Sequence, residues 1–201
     1  MRTKLVQLLT AGLALIVLSA GLARVTLAAM IQGGGAAPVP PLIMTTTAWE
    51  DGGVIPDKYT QKVPMPVSPE LKWSQVPPGT QSFVLLVHDP EPVLNKGSKM
   101  DITHWLIWNI PANSTGLKEG VAQGELPDGS RQVSLRMQGY MGPGAPAGPY
   151  HHYTFELYAV DSKIDVPQGT PQEAANTRNA VMNAMDGHVL GKALLVARFH
   201  R

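Results

Sequence analysis

Three runs of apolar and β-branched residues, each ended by a turn, constrain this chain most. They are Ser82–His88 (SFVLLVH), His104–Ile110 (HWLIWNI) and Tyr150–Val160 (YHHYTFELYAV). Continuous apolar runs of this length, closed by residues such as Asp89-Pro90 and Pro111, suit strands buried on both faces. Shorter strand candidates are Leu42–Trp49, Leu71–Trp73 and a final Lys192–Phe199, with turn-rich stretches at Asp51–Tyr59 and Pro77–Gly79. Short strands separated by Pro/Gly turns predict a mainly antiparallel β domain. There is no internal repeat.

One helix is predicted near the C-terminus. Thr170 is the candidate N-cap, Pro171 takes the first helical position and Glu173 completes a capping box. Ala174, Arg178, Val181, Met182, Met185 and Val189 follow at helical spacing, and Gly187 is the stop. The methionines read as core packing.

The N-terminus reads as an export signal. Met1–Lys4 is basic, Leu5–Leu22 carries no charge, and Ala23, Ala28 and Ala29 are candidate cleavage positions. The rival is an uncleaved membrane anchor, because the run approaches the ~20 residues that span a bilayer. The domain plan is therefore a signal peptide at 1–29, a linker at 30–44 built on GGGAAPVPP, and a folded domain at 45–201. The expected location is periplasmic or extracellular, with membrane anchoring as the alternative. Of 16 basic residues, Arg2, Lys4 and Arg24 lie in the N-terminal segment, which leaves 13 against 15 acidic residues. No basic stripe remains, so nucleic acid is not an expected partner. The chain has no cysteine, so no disulfide staples the domain and a lipoprotein anchor is excluded.

Chemistry-bearing residues concentrate in three segments. His88–Pro92 (HDPEP) places an acid in a rigid loop at a strand end. Thr103-His104-Trp105 opens the second strong strand. Gly139–Tyr153 (GYMGPGAPAGPYHHY) is a Gly/Pro loop that runs straight into the third. Any one of these has an ordinary structural reading as a turn or a satisfied histidine.

Together they resemble the phosphatidylethanolamine-binding protein family, in its bacterial Raf kinase inhibitor-like branch. LLVHDPEP is similar to that family's strand plus Asp-Pro-Asp-x-Pro loop. THWLIWNIPA is similar to its His-initiated strand ending in Asn-Ile-Pro, and GYMGPGAPAGPYHHYTFELYAVD to its Gly/Pro loop and aromatic strand. The tail through MDGHVLGKALLVARF resembles its last helix and strand, so the likeness runs from about Thr45 to Arg201. The resemblance implies an antiparallel Greek-key β-sandwich with a C-terminal helix and short peripheral helices. It implies an anion pocket lined by Asp89, His104, Gly142, Gly144, His151 and Tyr153, with Glu91, Trp105 and Pro146 as secondary residues. The chain departs from the pattern at Glu91, where Asp is usual, at Pro92, at Ala145 and at His152, where Arg is usual.

The implied partner is a small phosphate- or carboxylate-bearing ligand such as a phospholipid head group. Inhibition of a kinase or protease is a further implication, its protein target is not identified, and a homodimer is compatible with it. No cofactor is implied. Strand alternation predicts that His151 and Tyr153 point together, and that His104 shares a face with Leu106 and Trp108 rather than Trp105. The two imidazoles would then donate hydrogen bonds to the anion and gain charge as it approaches, with backbone N–H groups of Gly142, Gly144 and Ala145 around it. Two other readings compete. Asp89 with His104 or His151 would serve as an acid/base pair in a dehydratase-like enzyme, though no Cys nucleophile or G-x-S-x-G elbow is present. A metal site from His104, His151 and Asp89 or Glu91 ranks last, since no HExxH-type spacing supports it.

Overall fold

The computed structural model describes residues 40–92, 96–97 and 101–201. The expected signal peptide and the linker up to Val39 lie outside the described residues.

The described residues form two β-sheets and one α-helix, the mainly β, two-sheet arrangement expected. The small sheet has the order β1-β3-β6, from β1 (Ile43–Thr45), β3 (Leu71–Ser74) and β6 (Gly116–Leu117). The large sheet has the order β2-β9-β8-β4-β5-β7. Its members are β2 (Gly53–Val54), β4 (Ser82–Asp89), β5 (Ile102–Pro111), β7 (Arg131–Val133), β8 (His151–Val160) and β9 (Val189–Phe199). The three apolar runs of the sequence are β4, β5 and β8. They are the centre of this sheet, which is why they lack the apolar/polar alternation of a half-exposed strand. β8 returns by a long connection to pair with β4 on the side away from β5, as a Greek-key path requires.

Both faces of the large sheet are covered. Phe83, Leu85 and Val87 of β4 join Trp73, Trp105, Tyr153 and Phe155 in the core between the sheets. Val84 and Leu86 point the other way and pack with Leu106, Trp108 and Val160 beneath helix α1 (Ala174–Ala184). Met44 and Leu42 are buried in the first core, so packing begins inside the stretch assigned to the linker.

The helix is shorter than the periodicity predicts. Pro171–Glu173 is a 3-10 turn in which the Glu173 carboxylate accepts the Thr170 N–H at 3.0 Å and its hydroxyl at 2.8 Å. Gly187 sits at φ 81°, and the chain reverses there into β9, so Val189 is a strand residue and not the last helical one. Met185 is buried as expected, but Arg178 is an ion-pairing residue, as described below.

Candidate functional site

The site lies where the ends of β4, β5 and β8 converge under the Gly/Pro loop. β4 delivers Asp89 on the face that carries Leu85 and Val87, so alternation turns its carboxylate toward the inter-sheet side. β8 delivers His151 and Tyr153 on one face, as predicted, with Tyr153 fully buried.

His104 breaks the predicted alternation. Val87 pairs with Trp105 and His88 with Thr103, so His104 is one extra residue on β5, a β-bulge. A bulge re-aims the side chain it carries. The His104 ring therefore meets Tyr153 edge-on, ring centres 5.0 Å apart, on the side of Trp105. It does not share a face with Leu106 and Trp108. The bulged residue's carbonyl also accepts the Met141 N–H at 3.0 Å, which ties the Gly/Pro loop to the strand.

These residues enclose a cavity of about 110 Å³. Asp89, His104, Gly144, Pro146, His151 and Tyr153 line it, all named from the sequence. The volume is well below the roughly 300–1,000 Å³ of sites for drug-sized molecules.

Inside the cavity the polar atoms are largely spoken for. Asp89 is 2% exposed; its Oδ2 lies 2.7 Å from His151 Nδ1 and its Oδ1 accepts the Glu91 N–H at 3.1 Å. The Tyr153 hydroxyl accepts the N–H groups of Gly144 at 3.2 Å and Ala145 at 2.9 Å. Burial, and then the charge of Asp89 beside it, raise the Tyr153 phenol above its usual range, so it stays protonated. Two of the three backbone donors expected to cradle an anion are thus already bound to a side chain.

His104 is 3% exposed, and its Nδ1 lies 2.7 Å from the Gly142 carbonyl. Burial pushes its pKa down to about 4, against the Gly142 hydrogen bond and the Asp89 charge that favour the cation. Burial thus favours the neutral ring at neutral pH. Gly142 contributes that carbonyl, also bonded by Gln61 Nε2 at 2.9 Å, and is not itself in the cavity wall. It sits at φ 71°, where a Cβ would lie 2.7 Å from the Tyr59 carbonyl oxygen, so only glycine fits.

Two secondary residues fall elsewhere. Trp105 is fully buried in the core, its Nε1 donating to Gln132 Oε1 at 2.9 Å, and does not reach the cavity. Glu91 is at the rim, where it accepts the His152 N–H at 3.0 Å and holds His152 Nδ1 at 2.9 Å. Asp89, Glu91 and His151 bring ligand-type atoms within 4.8 Å of one another. His151 Nδ1 already has Asp89 as its hydrogen-bond partner there.

Gln61, Met141 and Arg136 also line the wall and were not singled out from the sequence. Arg136 is exposed, with Nη1 3.5 Å from Gln61 Oε1, and supplies the one Lys or Arg among the lining residues. Its position just upstream of the Gly/Pro loop was the available signal. Gln61 comes from the far-off turn after Tyr59 and gave none.

A family model described as phosphatidylethanolamine-binding protein matches residues 45–200. A UPF0098 protein of Methanothermobacter thermautotrophicus is 42% identical over 161 residues, 79% of this chain and 98% of its own. The UPF0098 protein YbhB of Escherichia coli is 37% identical over 108 residues, 51% of this chain and 66% of its own. Among solved structures, the homolog CT736 of Chlamydia trachomatis superposes with a TM-score of 0.65 at 28% identity, covering 80% of this chain and 98% of that one. E. coli YbcL superposes with a TM-score of 0.64 at 24% identity, over 81% and 99% of the two chains, and supports the fold alone.

Proposed function

The chain belongs to the phosphatidylethanolamine-binding protein family, and on that premise we propose that it binds a small phosphate- or carboxylate-bearing group, such as a phospholipid head group, in the Asp89–His104–His151 cavity. The observation that carries this reading is the convergence of Asp89, His151 and Tyr153 around a head-group-sized space with Arg136 at its edge. An arginine there attracts an anion without the cost of burying a charge. The basic start and uncharged run of the N-terminal segment support export as part of the same proposal.

An acid/base enzyme is the second reading, favoured by the 2.7 Å pairing of His151 with Asp89. The experiment that separates the two has two parts. Native mass spectrometry and titration with inorganic phosphate should show a retained or added anion at one site per chain. A panel of phosphorylated and carboxylated metabolites should then be returned unchanged. Consumption of any panel member by wild type, lost in His151→Ala, would replace the binding role with catalysis.

A further inference from the structure

We propose that the far end of the large sheet carries a second binding site, for a small dicarboxylate, held by Arg131 and Lys163. It is separate from the cavity of Asp89 and His151. Strand β4 runs from Ser82 at the new site to Asp89 at the other, so about 20 Å of strand divides them.

Strand β5 is interrupted at both ends. One bulge aims His104; the other is at Asn109. Between the pairs Phe83–Ile110 and Leu85–Ile107, β4 has one residue, Val84, and β5 has two, Trp108 and Asn109. Asn109 takes the left-handed backbone, φ 59°, a conformation that a non-glycine residue keeps only where its surroundings enforce it. A bulge re-aims the side chain it carries. Here that side chain grips the loop after β8: Asn109 Nδ2 donates to the Ile164 carbonyl at 2.9 Å, and Oδ1 accepts the Ile164 N–H at 2.8 Å. On the other side Ser82 Oγ donates to the Ser162 carbonyl at 2.6 Å. Lys163 lies between these two anchors, so its backbone is held while its side chain stays exposed.

Ser82, Asn109 and Lys163 line a cavity of about 520 Å³, with Asp128 and Arg131 on its wall. That volume falls within the roughly 300–1,000 Å³ of small-molecule sites. Two cations there outnumber one acid, and Asp128 Oδ1 already accepts the Ser130 N–H at 2.9 Å. Among the described residues neither Arg131 nor Lys163 has a carboxylate partner. Arg131 is half-buried and donates from Nη1 to the Val166 carbonyl. That bond fixes the guanidinium plane and leaves the Nε–Nη2 edge, whose parallel N–H pair matches the two oxygens of one carboxylate. Lys163 is a point charge and takes a second carboxylate on the same small molecule.

Titration calorimetry at low, constant salt would compare succinate, acetate and inorganic phosphate on the wild-type chain. Succinate should bind two- to fivefold more tightly than acetate, the increment of one exposed ion pair. Arg131→Gln should weaken succinate ten- to a hundredfold, since a charge-assisted pair of hydrogen bonds is lost. Lys163→Ala should reduce succinate to the level of acetate and leave acetate unchanged. Arg136→Ala, at the other cavity, should leave succinate unchanged. Succinate binding lost in Arg136→Ala and kept in Arg131→Gln would overturn the site. Equal binding of succinate and acetate by wild type would overturn the dicarboxylate assignment, and so would phosphate binding that is tighter than succinate and lost in Arg131→Gln. No succinate binding would remove the site, while phosphate binding sensitive to Arg136 judges the first cavity independently. Because Arg131→Gln also frees the Val166 carbonyl, wild type should be titrated by 1H–15N correlation as well. The Arg131 Nε–H and Asn109 side-chain amide signals should move with succinate and the His151 ring signals should not; the reverse pattern would overturn the proposal.

Discussion

His151 Nδ1 lies 2.7 Å from Asp89 Oδ2, and this one contact joins the end of β4 to the start of β8 at the floor of the cavity. The carboxylate also anchors the turn that follows through the Glu91 N–H. Asp89→Ala would strand both donors. Binding of inorganic phosphate should fall about ten- to a hundredfold, and stability by roughly 1–3 kcal/mol, because a buried partner has been removed. Calorimetry and urea denaturation measure the two effects. If affinity rose instead, the carboxylate would be repelling the anion and not organising His151.

Arg136 should act differently, because it is exposed. Its removal leaves no buried group unsatisfied, so Arg136→Ala should leave the denaturation midpoint unchanged. Phosphate affinity should fall by roughly two- to fivefold, the range of exposed ion pairs. The loss should shrink as salt rises, since a charge at the cavity edge is screened. An effect independent of salt would mean a direct, desolvated contact.

His104 gives the chain a definite acid sensitivity. Its folded-state pKa, about 4, lies below the ordinary 6.5, so between these values the unfolded chain binds the extra proton. Stability should therefore fall as pH drops from about 6.5 toward about 4, by on the order of 2–3 kcal/mol from this group. Urea midpoints at either end of that window, for wild type and His104→Phe, isolate the term. Wild type should lose more on acidification than the variant; parallel losses would place a normal histidine there.

The bulk of the fold and most of the cavity were legible for different reasons. Central strands bury both faces and must be apolar throughout, so β4, β5 and β8 could be read from the chain. β2, β6 and β7 are two or three residues long and could not, because so few residues carry no pattern. β7 even places Gln132 in the core, where it satisfies Trp105 and accepts no simple polarity rule. Asp89, His151 and Tyr153 followed from motif and alternation. The aim of His104 did not, since alternation assumes an unbroken register and the bulge inserts one residue. Its neutral state was equally hidden, because the Gly142 carbonyl that fixes the proton belongs to a loop 38 residues away.

The opposite face of the same strand carries a second polar cluster, and it should govern stability without touching the cavity. His88 Nδ1 lies 2.7 Å from Asp101 Oδ2, and the other Asp101 oxygen takes Arg178 of α1, so the carboxylate ties the helix to the sheet. Burial disfavours a charged His88, but the Asp101 hydrogen bond and the nearby Glu156 outweigh it and raise its pKa. Glu156 is in turn held down to about 2 by His88 and, against its own burial, by Tyr158 and Lys192. A raised histidine stabilises fully below its unfolded pKa and loses that contribution as pH rises through the folded value. Asp101→Asn should therefore cost roughly 1.5–3 kcal/mol at about pH 6, and less as pH rises toward about 9 through the raised His88 value, above which only Arg178 is left without its partner. Urea denaturation at both values reads this directly. Phosphate affinity should be unchanged, because His88 and Asp89 point to opposite sides of β4. An equal cost at both values would mean His88 does not change charge in the native cluster across that range, and a loss of affinity would mean the two faces of the strand are coupled.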